Sequence, residues 1–242
     1  MVDIEPSGYL PDATLCGRVA NATHKANQDG ESQCMPDSDR PQQAGAVAAF
    51  YARHAQTFDG ERGRQLMERT YLERTTHGLV PGASVLDLGC GGGEPIAAYC
   101  IRKGLRVTGV DVAEPMVSLC RRRFPKHIWC VADMRSLDLG RSFDAIIAWD
   151  SFFHLSRDDQ RAMFPVFARH ASPGAHLLFT SGPGDGEVVG MLFGDALFHA
   201  SLAPEEYRAL LNGNGFDVEH HAVEDPACGR HTVWLARKRD IG

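Results

Sequence analysis

Apolar positions along this chain repeat with two alternating periods. Val47, Phe50, Tyr51, His54 and Phe58 recur every three or four residues, which is one face of a helix. A second helix is predicted from about Gly60 to Thr75, carrying Leu66, Met67, Tyr71 and Leu72. Short apolar runs then alternate with helical stretches. Ser84–Leu88, Arg106–Val112, His127–Ala132, Phe143–Trp149 and His176–Thr180 read as strands. Pro95–Lys103, Glu114–Arg123 and Arg157–His170 read as the helices between them. Local chemistry supports these limits. Gly104 stops the first of these helices, Pro115 sits in the first turn of the second, and Ser156 is placed to cap the third. Pro204 opens a further helix that ends near Gly213, and Val218–Val223 and Thr232–Arg237 form the last two strands.

Strands that alternate with helices of this length predict an α/β fold with a doubly wound, mostly parallel seven-stranded sheet. The connection Glu224–His231 is too short for a crossover helix, so the last strand pairs antiparallel. The segment Gly182–Ala200 breaks the repeat. Its Val188, Val189, Met191, Leu192, Phe193, Leu197 and Phe198 flank the turn-like Gly194-Asp195, which predicts a hairpin over the C-terminal edge of the sheet. Residues 1–43 are rich in Gly, Pro, Asp, Asn, Ser and Gln without periodicity and read as a mobile arm, touching the domain at Tyr9 and Leu10. The layout is thus an arm at 1–43 and one domain at 44–242, with a lid insertion at 183–201.

Composition narrows the function. The net charge of −6 over 242 residues argues against a nucleic-acid surface. The run Arg121-Arg122-Arg123 reads as a helix end, where cations suit the dipole. Seven cysteines form no C-x-x-C pair; Cys90, Cys100, Cys120 and Cys130 fall inside core elements and read as reduced apolar residues. No secretory leader or membrane-length apolar run is visible, so a cytoplasmic protein without membrane partners is expected.

The chemistry concentrates after the first strand, in Val85-Leu86-Asp87-Leu88-Gly89-Cys90-Gly91-Gly92-Gly93. A strand that opens into a glycine loop lets backbone approach a nucleoside ligand closely. A dinucleotide site carries a third glycine where this chain has Glu94, and Asp87 would repel a phosphate while suiting a cation. The stretch resembles motif I of the class I S-adenosylmethionine-dependent methyltransferases, whose cofactor bears a sulfonium and an ammonium and no phosphate.

Further strand ends carry the resemblance. Asp111 ends the second strand twenty residues after Gly91 and reads as a ribose-hydroxyl acceptor, with a helix N-cap as the plainer alternative. The resemblance implies that Asp133 bonds the adenine amine, that Met134 packs on the ring, and that Trp149 and Asp150 meet the methionine part. It implies a cofactor set of Tyr51, Asp87, Gly89, Cys90, Gly91, Gly93, Asp111, Val112, Met116, Asp133, Met134 and Trp149, with Tyr51 on a covering helix that also carries His54, Phe58 and Arg62. The Asn/Asp/Ser-Pro-Pro-Tyr/Phe motif of base-amine methyltransferases is absent, since Asp150-Ser151-Phe152-Phe153 lacks both prolines.

A small-molecule acceptor follows, apolar or aromatic given Phe152, Phe153, Phe193 and Phe198, with O-methylation ahead of other sites. Histidine is the residue suited to take a proton near neutral pH. His154, in the loop after the fourth strand, is the first candidate base and His199, on the lid, the second. His220, His221 and His231 have no assigned face. No metal is expected, because the histidines lack paired spacing with carboxylates. An NAD(P)-dependent oxidoreductase and a non-catalytic S-adenosylmethionine-binding regulator are the alternatives. Nothing in the chain sets an oligomeric state.

Overall fold

The computed structural model describes residues 40–240. Nearly all of the expected arm, with Tyr9 and Leu10, therefore lies outside the described residues. Helix α1 spans Arg40–Glu61 and α2 spans Arg69–Thr75. Five strands follow with helices between them: β1 Ser84–Leu88, α3 Ile96–Arg102, β2 Arg106–Asp111, α4 Glu114–Arg123, β3 Ile128–Val131, β4 Phe143–Ala148, α5 Arg157–His170 and β5 Ala171–Ser181. A hairpin of β6 Gly186–Leu192 and β7 Asp195–Ser201 precedes α6 Pro204–Gly213, β8 Phe216–Asp225 and β9 His231–Lys238.

The seven-stranded sheet has the order β3-β2-β1-β4-β5-β9-β8. Pairings among β1–β5 are parallel, and β9 runs antiparallel to both β5 and β8. This is the doubly wound sheet with one reversed strand that the alternating pattern predicts. Period-two alternation divides the core between its faces. Leu86, Leu88, Ile146, Leu177 and Phe179 join Phe164 and Phe167 of α5 and Tyr207 of α6. Val85, Ile147, Leu178 and Val233 join Tyr71 and Leu72 of α2, Tyr99 of α3 and Val117 of α4. Every residue of β1 is buried, as a central strand covered on both faces requires.

Two expected elements differ in extent. The second helix begins at Arg69, not near Gly60, because α1 runs through Glu61 and the chain then makes tight turns. These turns are closed by Met67 N–H to the Gln65 carbonyl and Arg69 N–H to the Leu66 carbonyl, both at 3.1 Å. Here ion pairs outweigh helical period: Arg62 and Arg64 leave the helix path to meet Asp150, Glu68, Asp59 and Glu94. Strand β5 starts five residues earlier than the expected His176, since Ala171 already pairs with Phe143 before the register shifts. Ser156 caps α5 as expected, its hydroxyl accepting the Asp159 N–H at 3.1 Å.

Helix α1 lies across the C-terminal edge of the sheet. Its Ala55, Tyr51 and Phe58 pack on Met116 and Leu119 of α4. The β6–β7 hairpin closes from the other side. His54 and Arg53 of α1 both reach Asp195 at 2.8 Å, and Phe193 at the turn stacks on Phe50 with centroids 6.3 Å apart. Among the described residues no helix is long and apolar enough to cross a membrane, and no group of three or more His, Cys, Asp or Glu is arranged to hold a metal ion. The five described cysteines are buried and unbridged.

Candidate active-site cleft

A cleft opens at the C-terminal ends of β1, β2, β3 and β4, beneath α1. In open α/β sheets this edge is where ligands bind. The glycine loop after β1 forms its floor. Gly89 adopts φ +74°, and a Cβ there would overlap the Cβ of Ser151 and lie 2.8 Å from its Oγ. Gly91, at φ +52°, has open space where a side chain would stand. Gly93 does not line the cleft. It lets Phe124 and Cys120 approach to 3.0 and 3.2 Å of where its Cβ would be, so its task is helix-to-loop packing.

The loop's amides decide what charge it can hold. Gly89 and Cys90 N–H donate to the Val110 carbonyl at 2.7 and 3.1 Å, and Gly93 N–H donates to Cys90 at 3.0 Å. Gly91 N–H donates to Asp111 Oδ2 at 2.9 Å. These donors are committed inside the protein, whereas a pyrophosphate cradle needs them free. Acidic groups surround the floor instead. Asp87 is buried, and that burial together with the nearby Asp111 pushes its carboxyl up to about 7. A cationic ligand beside it would restore its ionised form.

Asp111 does not cap α4, whose N-cap is Ala113, and its side chain is anchored on backbone at the cleft. Its Oδ1 accepts the Ala113 N–H at 2.9 Å at the start of α4, and its Oδ2 holds Gly91. Asp111 lines the cleft, and a carboxylate oxygen can accept more than one hydrogen bond. Burial raises its pKa against the pull of these backbone N–H groups. Val112, Met116 and Met134 also line the cleft. Asp133 lines it too, but Arg135 occupies both its oxygens, with Nε at 3.0 Å from each and Nη2 at 2.6 Å from Oδ2. The guanidinium is anchored further on Asp159 at 3.0 Å. The carboxylate expected to meet an adenine amine is therefore already paired.

Tyr51 and His154 meet across the mouth. The Tyr51 hydroxyl lies 3.0 Å from His154 Nε2, and His154 Nδ1 lies 3.0 Å from the Phe198 carbonyl on β7. A carbonyl only accepts, so Nδ1 carries the proton and Nε2 offers its lone pair to the tyrosine O–H. Burial lowers the His154 pKa to about 4, and the imidazole is neutral at physiological pH. Burial and the carboxylates Asp111 and Asp150 raise the Tyr51 phenol well above its ordinary value. His199 does not line the cleft; its ring packs behind His154 at 4.8 Å and against Phe153 at 5.1 Å.

The structure joins Asp150 and Trp149, which the resemblance implies, to Arg62, Glu68 and His231. Arg62 lines the cleft between two carboxylates, Asp150 at 3.4 Å and Glu68 at 3.5 Å. Asp150 takes φ +49°, a backbone an aspartate tolerates better than most residues, and His231 approaches its carboxylate to 3.0 Å. Trp149 is buried with its Nε1 unpartnered and stacks near Tyr71 and His231. Glu68 and His231 carry no sequence signal, since neither sits in a motif. Arg62 is legible only as a cation following the covering helix.

Comparison with known proteins places this geometry. Residues 85–174 match the model of a family described as a methyltransferase domain. An O-methyltransferase of Pyrenophora dematioidea is 26% identical over 167 residues, which cover 62% of this chain and 61% of that protein. A dTDP-4-amino-2,3,4,6-tetradeoxy-D-glucose N,N-dimethyltransferase of Saccharopolyspora spinosa is 28% identical over 136 residues, 55% of this chain and 52% of that protein. The chain thus spans between half and two thirds of these relatives. The 1,6-didemethyltoxoflavin-N1-methyltransferase of Burkholderia thailandensis, solved with 1,6-didemethyltoxoflavin and S-adenosylhomocysteine, superposes with a TM-score of 0.66. That match covers 89% of this chain and 95% of the other at 20% identity, and it shows a common fold.

Proposed function

We propose that this chain, whose residues 85–174 match the methyltransferase-domain family model, transfers a methyl group from S-adenosylmethionine to a small-molecule acceptor. The observation that carries the reading is the glycine loop itself. Its amides at 89, 90, 91 and 93 are spent on protein acceptors, while Asp87, Asp111 and Asp150 face the same cleft. Such a floor favours a cation and leaves few loop amides for a dinucleotide phosphate, which weighs against an NAD(P)-dependent oxidoreductase. A non-catalytic binding protein would have no use for a neutral imidazole joined to a tyrosine at the cleft mouth.

When bound, S-adenosylmethionine supplies an electrophilic methyl on a sulfonium. The protein's own residues position and shield the reactants. Asp111 offers its carboxylate oxygens to ribose hydroxyls. Arg62 and Asp150 present opposite charges side by side, which matches the carboxylate and ammonium of an amino-acid head group. Helix α1 and the hairpin cover the cleft, and exclusion of water strengthens each of these interactions.

The acceptor's proton goes to the Tyr51–His154 pair. The phenol oxygen takes it while the phenol's own proton passes to His154 Nε2. Such a relay matters most for a hydroxyl acceptor, which must lose its proton as the C–O bond forms; a neutral amine attacks through a lone pair it already has. O-methylation is therefore favoured over N-methylation. Among relatives both kinds occur. The ring lining of Tyr51, Phe58 and His154 suits a planar or apolar acceptor.

Calorimetry with S-adenosylhomocysteine tests the donor half, and absence of binding would end the proposal. An acceptor panel of phenols, carboxylic acids and amines, read by S-adenosylhomocysteine release, tests the other half. Turnover of amines alone would overturn the preference for oxygen. Asp111→Ala should weaken S-adenosylhomocysteine binding by about 1–3 kcal/mol, because the hydroxyls lose an acceptor and Gly91 loses its anchor. An unchanged dissociation constant would remove the ribose role.

A further inference from the structure

From the cleft wall inward runs a chain of alternating charges drawn from three parts of the sequence. Glu68 stands at the start of α2, Arg62 after α1, Asp150 after β4 and His231 at the start of β9. The Glu68 side chain is 1% exposed, and Arg62 Nη2 is 3.5 Å from it. Arg62 Nη1 reaches Asp150 Oδ2 at 3.4 Å, and His231 Nε2 reaches Asp150 Oδ1 at 3.0 Å. With both carboxylates ionised, two anions face two cations.

His231 differs from a generic surface partner in how it is held. Its Nδ1 lies 2.7 Å from the Cys228 carbonyl, so that nitrogen donates. Its Nε2 faces a carboxylate, so that nitrogen donates as well, and a ring donating at both nitrogens is an imidazolium. The ring lies against Trp149 with centroids 5.3 Å apart. His231 does not line the cleft, whereas Asp150 does. Asp150 is also held by Arg62 Nη1 at 3.4 Å, by the Thr180 hydroxyl at 3.5 Å, by its own N–H bond to Thr180 Oγ1 at 2.9 Å and by its left-handed backbone.

We propose that His231 is a positioning residue for the donor site. Its imidazolium, braced on the Cys228 carbonyl, holds the Asp150 carboxylate toward the ammonium of the bound cofactor, and loss of its proton removes the shortest of that carboxylate's side-chain donors. The proposal rests on the methyl-donor reading above. It adds a group outside the cleft whose charge sets the strength of binding inside it.

The charged and titratable groups around His231 fix the sign. Asp150 stabilises the imidazolium and is the main reason its pKa lies above the ordinary histidine value. Burial and Arg62 oppose this, and the Cys228 carbonyl assists. Glu68 feels the same imidazolium, and its own carboxyl is pushed up by burial. The Cys228 thiol is pushed up to about 11 by burial and these carboxylates, and stays neutral. Because the folded pKa of His231 is raised, its contribution is complete below the ordinary value and disappears as pH rises through the raised one. Above that point a lone pair faces the carboxylate, and the donor that orients it is gone.

The test is S-adenosylhomocysteine binding by calorimetry from pH 6.5 to 9, on the intact wild type, His231→Gln and His231→Ala. The glutamine amide donates to Asp150 at every pH, and the alanine never does. Wild-type affinity should fall about ten-fold across this range, the size of one charge-assisted hydrogen bond. His231→Ala should be weakened by about the same factor already at pH 6.5. His231→Gln should bind like the wild type at pH 6.5 and overtake it at pH 9. The ligand's own ammonium titrates alike in all three proteins, so the difference between wild type and His231→Gln isolates this residue. Identical pH dependence in those two proteins, or wild-type affinity in a folded His231→Ala, would overturn the proposal. A wild type that binds no S-adenosylhomocysteine at any pH would overturn the methyl-donor reading itself.

Discussion

Replacing His154 with alanine will cut turnover by about 10²–10⁴-fold while S-adenosylhomocysteine affinity stays within a few-fold of the wild type. In the proposed relay His154 is the terminal proton acceptor, a role Tyr51 is not suited to take over, so the expected loss is large. Burial and neighbouring carboxylates disfavour a tyrosinate, so the phenol works only by handing on its proton. Tyr51→Phe should therefore lose a comparable factor, and Tyr51→Phe/His154→Ala should be no worse than either alone, as for groups that act as a unit. The pH profile gives an independent check. A solvated histidine would switch off near its ordinary pKa of about 6.5. His154 titrates near 4, because its burial disfavours the charged ring, so its lone pair persists from neutral pH well into the acid range. An acid limb near 6.5 that disappears in His154→Ala would contradict this assignment, as would unchanged turnover in the variant.

Gly89→Ala will abolish ligand binding and destabilise the fold by more than about 3 kcal/mol. Two costs coincide at this position. The φ of +74° disfavours any Cβ, and the space a Cβ would take already holds Ser151. Neither partner can retreat. Leu88, just before the glycine, is paired with Val110 across β1 and β2, and Ser151 Oγ donates to the Leu88 carbonyl at 2.7 Å. Gly91→Ala is the matched control, since its φ is also positive but the space beside it is open. That variant should fold with only a left-handed backbone cost of about 1–2 kcal/mol and show its effect in ligand affinity. Thermal unfolding and calorimetry on both proteins check the pair. Equal melting temperatures would show that close approach to Ser151 is not what fixes Gly89.

Several features of the site were legible in the order of residues, and others were not. The strand ends at Leu88, Asp111, Val131 and Ala148 follow from apolar runs that stop at polar or glycine positions, and the cleft lies across them. The hairpin around Gly194 followed from a turn between two apolar stretches. His154 was distinguishable by its place after the fourth strand. His199 was not placed by that reasoning, because alternation along β7 turns it behind His154 and out of the cleft. Gly93 carried the same motif spacing as Gly91, yet packing against Phe124 and Cys120 gives it a different task. Asp133, implied by the resemblance to meet the adenine amine, lines the cleft, and only the structure shows that Arg135, two residues away, engages both its oxygens.

By itself the sequence determined the layers, the strand directions, the glycine loop and the acidic character of its surroundings. Those are local properties: hydrophobic period, turn chemistry and a backbone that only glycine tolerates. Only the tertiary structure decided the partners of each charge. Tyr51 meets His154 across 103 residues, Arg62 meets Asp150 across 88 and His231 meets Asp150 across 81. No periodicity links such positions. They come together because β4 ends and β9 begins at the same sheet edge and because α1, with the turn after it, is drawn over that edge by packing on α4 and the hairpin. Protonation follows from the same cause. Burial holds His154 neutral and a carboxylate holds His231 charged, although the two residues are chemically identical in the sequence.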